Sequence, residues 1–163
     1  MGVGWGPADV ARDYVAAVDV AAVDVARFAD DRRDARYRTS VIVAFDPGRN
    51  VGVAYVGEDG ALRRRAIVTL EEVDRLDVPD DAVVVVGDGT GSAALCARLE
   101  SRGLVVRTVA EEGTSLEARE LYYREHPATG WSRLLPVGMR SPPVAIDDYA
   151  AYAIALRWLA RRA

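Results

Sequence analysis

The chain contains one cysteine, one histidine and no lysine among its 163 residues. Since Cys96 has no second cysteine to pair with, an internal disulfide and a cysteine-based zinc site are excluded. Histidine-based metal sites and Ser-His-Asp catalysis are also disfavoured, because His126 is the only histidine. Acid–base or metal chemistry is therefore expected to rest on aspartate and glutamate.

Long hydrophobic runs are absent as well. A membrane-spanning helix needs about 20 consecutive apolar residues, and no run in this chain approaches that length. Aspartates interrupt the N-terminal region too often for a signal-peptide core, at Asp9, Asp13, Asp19 and Asp24. With half of its residues hydrophobic, the chain is expected to form one globular, cytoplasmic domain without a membrane partner.

Excess positive charge is also lacking. The formal net charge is −4, which argues against a generally basic surface that would coat nucleic acid. All 21 lysine-or-arginine positions are arginine, whose forked guanidinium makes two-pronged contacts with phosphate. Contacts with a polyanion would therefore depend on a few well-placed arginines.

Residues 41–56 form the most informative stretch. Five apolar residues at 41–45 predict a buried strand that ends at Asp46, and 51–56 predict a second strand after a turn at 47–50. A carboxylate at the tip of a buried strand is costly to desolvate without a partner. Asp46 therefore either caps the turn, as aspartate often does, or faces a cation or a metal ion.

The remaining sequence predicts three more strands and several helices. Strands are expected over 62–69, 82–86 and 104–109, the last two buried on both faces. Helices are expected over 8–33, 70–76, 92–101, 116–125 and 147–161, and a loop over 127–144. Thr114 or Ser115 is expected to cap the helix over 116–125. This order gives a five-stranded mixed sheet, three antiparallel strands then two parallel ones, flanked by helices.

The helix predicted over 8–33 is an extra element at the N-terminus. Its apolar residues recur at alternating spacings of three and four, at Val10, Tyr14, Val18, Ala21, Val25 and Phe28. This stripe needs cover, either from the domain's own sheet or from a second subunit. A homodimer through the N-terminal helix is therefore one of two expected arrangements.

Acidic residues follow three of the predicted strands. Asp46, Asp88 and Glu111 come at the ends of the first, fourth and fifth strands, and Asp147 opens the last helix. In open α/β sheets the site lies beyond the carboxyl ends of the parallel strands, so we expect these side chains to meet. The alternative for Asp88 and Asp147 is helix capping.

Four motifs occur in a fixed order along the chain. They are Asp-Pro-Gly at 46–48 with Gly52 and Ala54, Val-Gly-Asp-Gly at 86–89, Val-Ala-Glu-Glu-Gly-Thr-Ser-Leu-Glu-Ala at 109–118 and Asp-Asp-Tyr-Ala-Ala at 147–151. Together they resemble the YqgF family, also called RuvX or pre-16S rRNA nuclease, in the RuvC-like branch of the ribonuclease H superfamily. The resemblance covers 41–160, and Ala110 departs from it where the family often has aspartate.

This resemblance implies a ribonuclease H-like nuclease domain over 39–163, preceded by the helical extension over 1–38. It implies a metal-dependent endonuclease of structured nucleic acid, for precursor rRNA processing or Holliday junction resolution. Asp46, Glu111 and Asp147 match the catalytic acids. They would hold two Mg²⁺ or Mn²⁺ ions, with Asp88 or Asp148 as an additional ligand.

Candidate nucleic-acid contacts lie on or beside the loop over 127–144. They are Arg119, Trp131, Arg133 and Arg140, of which we expect Arg133 and Arg140 to bind phosphates beside the scissile bond. Arginine with exposed aromatic rings suits phosphates and unstacked bases. The alternatives are an aromatic core beneath the loop, formed by Tyr122 and Trp131, and arginines that pair with nearby acids and only brace the loop.

Two other functions compete with the nuclease hypothesis. The first is a nuclease-fold module that binds nucleic acid or protein without turnover. The second is an actin-like sugar kinase or ATPase, which shares an Asp-x-Gly turn but normally needs two such lobes, whereas this chain has room for one. Metal binding followed by cleavage would distinguish the nuclease hypothesis from the binding-module hypothesis. The sequence does not indicate whether the substrate is RNA or DNA.

Overall fold

The computed structural model of the protein describes residues 41–162, apart from the side chain of Ser132. The helix predicted over 8–33 lies outside the described residues, as does nearly all of the proposed extension over 1–38. The dimer expected through that helix therefore stays a prediction. No helix between residues 41 and 162 is both long and apolar enough to cross a membrane.

Five strands form one mixed sheet in the order β3-β2-β1-β4-β5. They are β1 (Val41–Asp46), β2 (Val51–Gly57), β3 (Leu62–Val68), β4 (Val83–Gly87) and β5 (Val106–Val109). The pairs β1–β2 and β2–β3 are antiparallel, whereas β1–β4 and β4–β5 are parallel. This is the ribonuclease H-like arrangement, so the predicted fold class is confirmed.

Three helices flank the sheet: α1 (Ser92–Ser101), α2 (Thr114–Glu125) and α3 (Asp147–Ala160). Because successive side chains of a strand point to opposite faces, the continuous apolar run of β1 supplies two cores. On one face Val43 and Phe45 belong to the core that contains Leu95 and Leu99 of α1. On the other face Ile42 and Ala44 share a core with α3, through Ala151, Ile154 and Ala155.

Several local predictions were wrong. Strand β5 begins at Val106 rather than 104, and Arg107 and Thr108 are exposed because β5 is an edge of the sheet. The helix expected over 70–76 is a single 3₁₀ turn, Glu72–Arg75. Neither Thr114 nor Ser115 caps α2, because the cap position is Gly113 with φ of 83° and Thr114 is already helical and buried.

The loop predicted over 127–144 is more ordered than its composition indicated. It contains two 3₁₀ turns, Gly130–Leu134 and Val137–Met139, and it connects α2 to α3. The second turn packs against α2. The sequence did not reveal these turns because prolines and glycines dominate the segment.

Candidate carboxylate site

The site begins where β1 ends. Asp46 is the last residue of β1 and pairs with Gly52 on the neighbouring strand β2. The first turn of α3 lies directly on this glycine, since a Cβ added at Gly52 would overlap the carbonyl of Asp147. The absence of a side chain at Gly52 therefore lets α3 start against the sheet and brings Asp147 beside Asp46.

Glu111 reaches the same end of the sheet from the segment that follows β5. Its carboxylate lies against two glycines at the end of β4: a Cβ on Gly89, just after the strand, would overlap it, and a Cβ on Gly87, the last residue of the strand, would lie 2.9 Å from Oε2. The Oε2 atom is buried and accepts no hydrogen bond from the described residues. A buried polar atom without a partner is uncommon and calls for an explanation. Here it leaves one carboxylate oxygen free to bind a group from outside the chain.

These three acids influence one another electrostatically. Burial, together with the charges of Glu111 and Asp147, raises the pKa of Asp46 from its ordinary value of 3.8 to about 7. Burial also raises the pKa of the half-buried Asp147, with a second contribution from Asp148. Glu111 and Asp147 therefore lie near enough to Asp46 to affect its pKa, and their roles as metal ligands stay a prediction.

The described carboxylates are not already arranged as the ligands of a metal ion. Within residues 41–162, no three Asp, Glu, His or Cys side chains are arranged so that they could hold a metal ion. Repulsion between like charges is expected to keep carboxylates apart when no cation lies between them. The donor chemistry nevertheless fits Mg²⁺ or Mn²⁺, which prefer oxygen ligands, and the free Oε2 of Glu111 and the raised pKa of Asp46 fit a nearby cation.

Asp88 supports Glu111 in the structure. The Asp88 side chain is exposed, and its Oδ1 accepts a hydrogen bond from the Glu111 backbone N–H at 2.9 Å. The Asp88 N–H in turn donates to the carbonyl of Val109 at 3.0 Å. Asp88 thus fixes the backbone at the turn after β5. This structural role is independent of the metal binding that the sequence predicts for Asp88.

Asp148 forms an ion pair with a residue of β3, one of the two edge strands of the sheet. It is only 3% exposed, and its Oδ2 accepts a hydrogen bond from the Arg65 guanidinium at 2.7 Å. Arg65 also lies over the ring of Tyr149, 4.0 Å from its centroid. The Tyr149 hydroxyl donates to Glu125 at 2.6 Å. Asp148 therefore belongs to a network that joins β3, α2 and the first turn of α3.

A second arginine supports the segment that carries Glu111. Arg157 on α3 donates from Nε and Nη2 to the Glu117 carboxylate, at 2.9 Å and 2.7 Å. Its Nη1 donates to the carbonyl of Ala110 at 2.9 Å. Sequence reasoning missed both Arg65 and Arg157, because their partners Asp148 and Glu117 are 83 and 40 residues away in the chain.

Two arginines that are predicted to contact nucleic acid, Arg119 and Arg140, donate hydrogen bonds to backbone carbonyls of the loop. Arg140 donates to the carbonyls of Leu135 and Arg133, at 2.8 Å and 3.1 Å, and lies over the ring of Tyr123. Arg119 donates to the carbonyl of Gly138 at 2.7 Å. The expected alternative, in which Arg133 and Arg140 pair with nearby acids, is not what these contacts show, because the acceptors are backbone carbonyls. Binding of nucleic acid by Arg119 and Arg140 stays a prediction.

The other two predicted contacts face solvent. Trp131 is 87% exposed, so it does not form a core beneath the loop, whereas Tyr122 is buried against Tyr149 and does. Arg133 is exposed next to Trp131. No hydrogen bond or ion pair joins its side chain to another residue of the part of the chain that the structure describes.

Comparisons with known proteins find similarity only among solved structures. No protein-family model and no curated protein matches the chain. Among solved structures, the chain is similar to RuvC of Thermus thermophilus, with 16% sequence identity and a TM-score of 0.41. That match covers 75% of this chain and 96% of the RuvC chain. The ribonuclease H-like fold itself is defined by the order and directions of the five strands.

Proposed function

We propose that the protein is a divalent-metal-dependent endonuclease that hydrolyses phosphodiester bonds in structured nucleic acid. The observation that carries this proposal is the position of the partly buried Asp46 near Glu111 and Asp147: burial and then the charges of these two acids raise its pKa to about 7. Carboxylates that repel one another in a partly buried place are unfavourable on their own and suit a nearby cation. The buried, unpartnered Oε2 of Glu111 supports the same interpretation.

Asp46, Glu111 and Asp147 would hold Mg²⁺ or Mn²⁺. When bound, such ions activate the attacking water and stabilise the charge that develops on the leaving oxygen. Asp46 is the candidate bridging ligand, because it interacts with both other acids. Asp88 orients the backbone of Glu111. We propose that Asp148 acts through Arg65, by holding the start of α3, and that it serves as a ligand only if this pair opens.

The substrate is proposed to be a nucleic acid, either precursor rRNA or branched DNA. Trp131 and Arg133 are exposed and are the proposed direct contacts. Arg119 and Arg140 each donate to loop carbonyls, so we propose that they act chiefly by holding the loop in place. A protein with a net charge of −4 is expected to bind a limited segment of its substrate.

A cleavage assay tests the proposal. RNA, single-stranded DNA and a four-way DNA junction are incubated with the full chain in Mg²⁺, in Mn²⁺ and in EDTA. We expect cleavage of at least one substrate that needs the metal and is abolished by Asp46→Asn. The matched control is Asp80→Asn, an exposed acid ahead of β4. Equal cleavage in EDTA, or wild-type rates for Asp46→Asn with an unchanged fold, would overturn the assignment.

A binding module without turnover is the second candidate function. The observation in its favour is the absence of a ready metal-binding group among residues 41–162. Such a module would bind the same substrates but would not cleave them in any metal, and calorimetry would detect no Mn²⁺ binding that depends on Asp46. The kinase alternative is less favoured, because residues 41–162 form one five-stranded sheet.

A further inference from the structure

The 3₁₀ turns between α2 and α3 expose an unusual amount of apolar surface. Trp131, Leu134 and Met139 are 87%, 74% and 69% exposed. A surface pocket lies among Gly130, Trp131, Arg133 and Leu134. Large apolar side chains grouped on a surface mark binding sites more often than chance exposure.

This surface is held by specific contacts. The Arg140 guanidinium donates to two carbonyls of the segment, those of Arg133 and Leu135. Arg119 donates to the carbonyl of Gly138 from α2. Arg119 and Arg140 thus hold the backbone beneath the exposed side chains. The Arg133 guanidinium, in contrast, donates no hydrogen bond to another described residue.

The segment that carries this surface lies between α2 and α3 in the chain and packs against α2. A Cβ at Gly138 would lie 3.4 Å from the Leu116 side chain. Leu116 is in the first turn of α2, just after Glu111 in the chain. In the other direction the segment leads to Asp147 at the start of α3. The exposed face therefore lies on the connection between α2, which follows Glu111 in the chain, and α3, which begins at Asp147.

We propose that Trp131 and Arg133 form a platform for an unpaired nucleotide, with the base stacked on the indole ring and the phosphate bound by the guanidinium. Stacking suits any base, since each has a π-face, and phosphate contacts fix position without reading sequence. The substrate class is then nucleic acid with single-stranded nucleotides next to the scissile bond. This inference rests on the proposed function. The positively charged Arg133 side chain in the pocket favours a nucleic acid over a purely apolar protein partner.

The test measures binding by fluorescence anisotropy in EDTA, where a metal-dependent enzyme does not cleave. The probes are a fluorescein-labelled duplex with a single-stranded flank and the same duplex with blunt ends. Trp131→Ala should weaken binding of the flanked duplex by about 5- to 100-fold, the effect of losing one stacked base. Trp131→Phe should stay within about threefold, since a phenyl ring still stacks. Arg133→Ala should lower the slope of log affinity against log salt by about one.

The control variant is Val105→Ala, which removes another exposed apolar side chain ahead of β5. It should bind both probes as the wild type does. Wild-type affinity of Trp131→Ala for the flanked duplex, while the wild-type protein binds and cleaves nucleic acid, would overturn the platform and leave the nuclease intact. A shift from dimer to monomer with unchanged nucleic-acid affinity in Trp131→Ala would assign the surface to a second copy instead. If the wild type neither binds nor cleaves nucleic acid, both proposals fail.

Discussion

The Arg65 guanidinium lies 2.7 Å from the carboxylate of Asp148, which is almost completely buried. Arg65 is on the edge strand β3, and Asp148 is in the first turn of α3. The pair therefore joins the sheet to the start of the helix that carries Asp147. The ring of Tyr149 lies against the same guanidinium, which restricts its orientation further.

Arg65→Ala should destabilise the protein strongly. The variant loses the guanidinium that neutralises the nearly buried Asp148 carboxylate, and removing one partner of a buried ion pair costs about 3–5 kcal/mol. Because Asp147 precedes Asp148, we also expect weaker Mn²⁺ binding. Arg65→Lys should recover part of both losses. Urea unfolding and calorimetric Mn²⁺ titration measure the two effects.

The matched control for that prediction is Arg98→Ala. Arg98 pairs with Asp74 at 2.5 Å, but this pair is exposed to solvent, which screens it, so its loss should cost far less stability than the loss of the Arg65 pair. Mn²⁺ affinity should not change in the control. Similar losses of stability in both variants would show that the Arg65 pair has no special role.

Asp46→Asn should stabilise the metal-free protein at neutral and alkaline pH. An ordinary aspartate loses its proton near 3.8, whereas the pKa of Asp46 is raised to about 7 by burial and by Glu111 and Asp147. Between these values the folded state binds more protons than the unfolded state, so stability falls as the pH rises. Partial exposure screens the effect, and at pH 8 we expect a gain of about 1–2 kcal/mol.

Chemical denaturation in EDTA between pH 4 and pH 8 measures this gain. The difference between Asp46→Asn and the wild type should be small at pH 4 and should grow towards pH 8. A difference that does not vary with pH, or a variant that is less stable at pH 8, would contradict the predicted electrostatic cause.

Gly89→Ala should displace Glu111. The added Cβ would overlap the Glu111 carboxylate, so the side chain must move away from the position that Gly87 and Gly89 leave open. We expect weaker Mn²⁺ binding and a loss of any metal-dependent cleavage. Gly138→Ala is the control for the effect of a methyl group, because its Cβ meets only Leu116 at an ordinary 3.4 Å. Unchanged Mn²⁺ affinity in Gly89→Ala would argue against Glu111 as a ligand.

Deletion of residues 1–38 should leave metal binding intact. The sheet and the three central acids all lie within residues 41–162. The predicted apolar stripe at 10–28 should instead affect solubility or assembly, which light scattering measures. A deleted protein that stays soluble and has the parent's oligomeric state, but no longer binds Mn²⁺, would refute this division of roles.

The sequence alone determined the strands, their order of appearance and the acids at their ends. Residues 41–45 predict a buried strand because an uninterrupted apolar run can be satisfied only between two cores, and the structure supplies both. Asp46 and Glu111 could be selected because a change from apolar to acidic residues marks the end of a buried strand. The edge position of β5 could not be predicted, because the sequence Val106–Val109 is compatible with a central strand as well as with an edge strand.

Only the tertiary structure decided which acids meet and what holds them. Asp147 and Asp148 are equivalent in sequence, but the contact of α3 with Gly52 brings the first towards Asp46, and Arg65 on β3 binds the second. The sequence marks Arg140 as a phosphate ligand, and only the fold shows that two loop carbonyls lie within its reach. Side-chain partners depend on distances between segments far apart in the chain, and those distances exist only after the chain has folded.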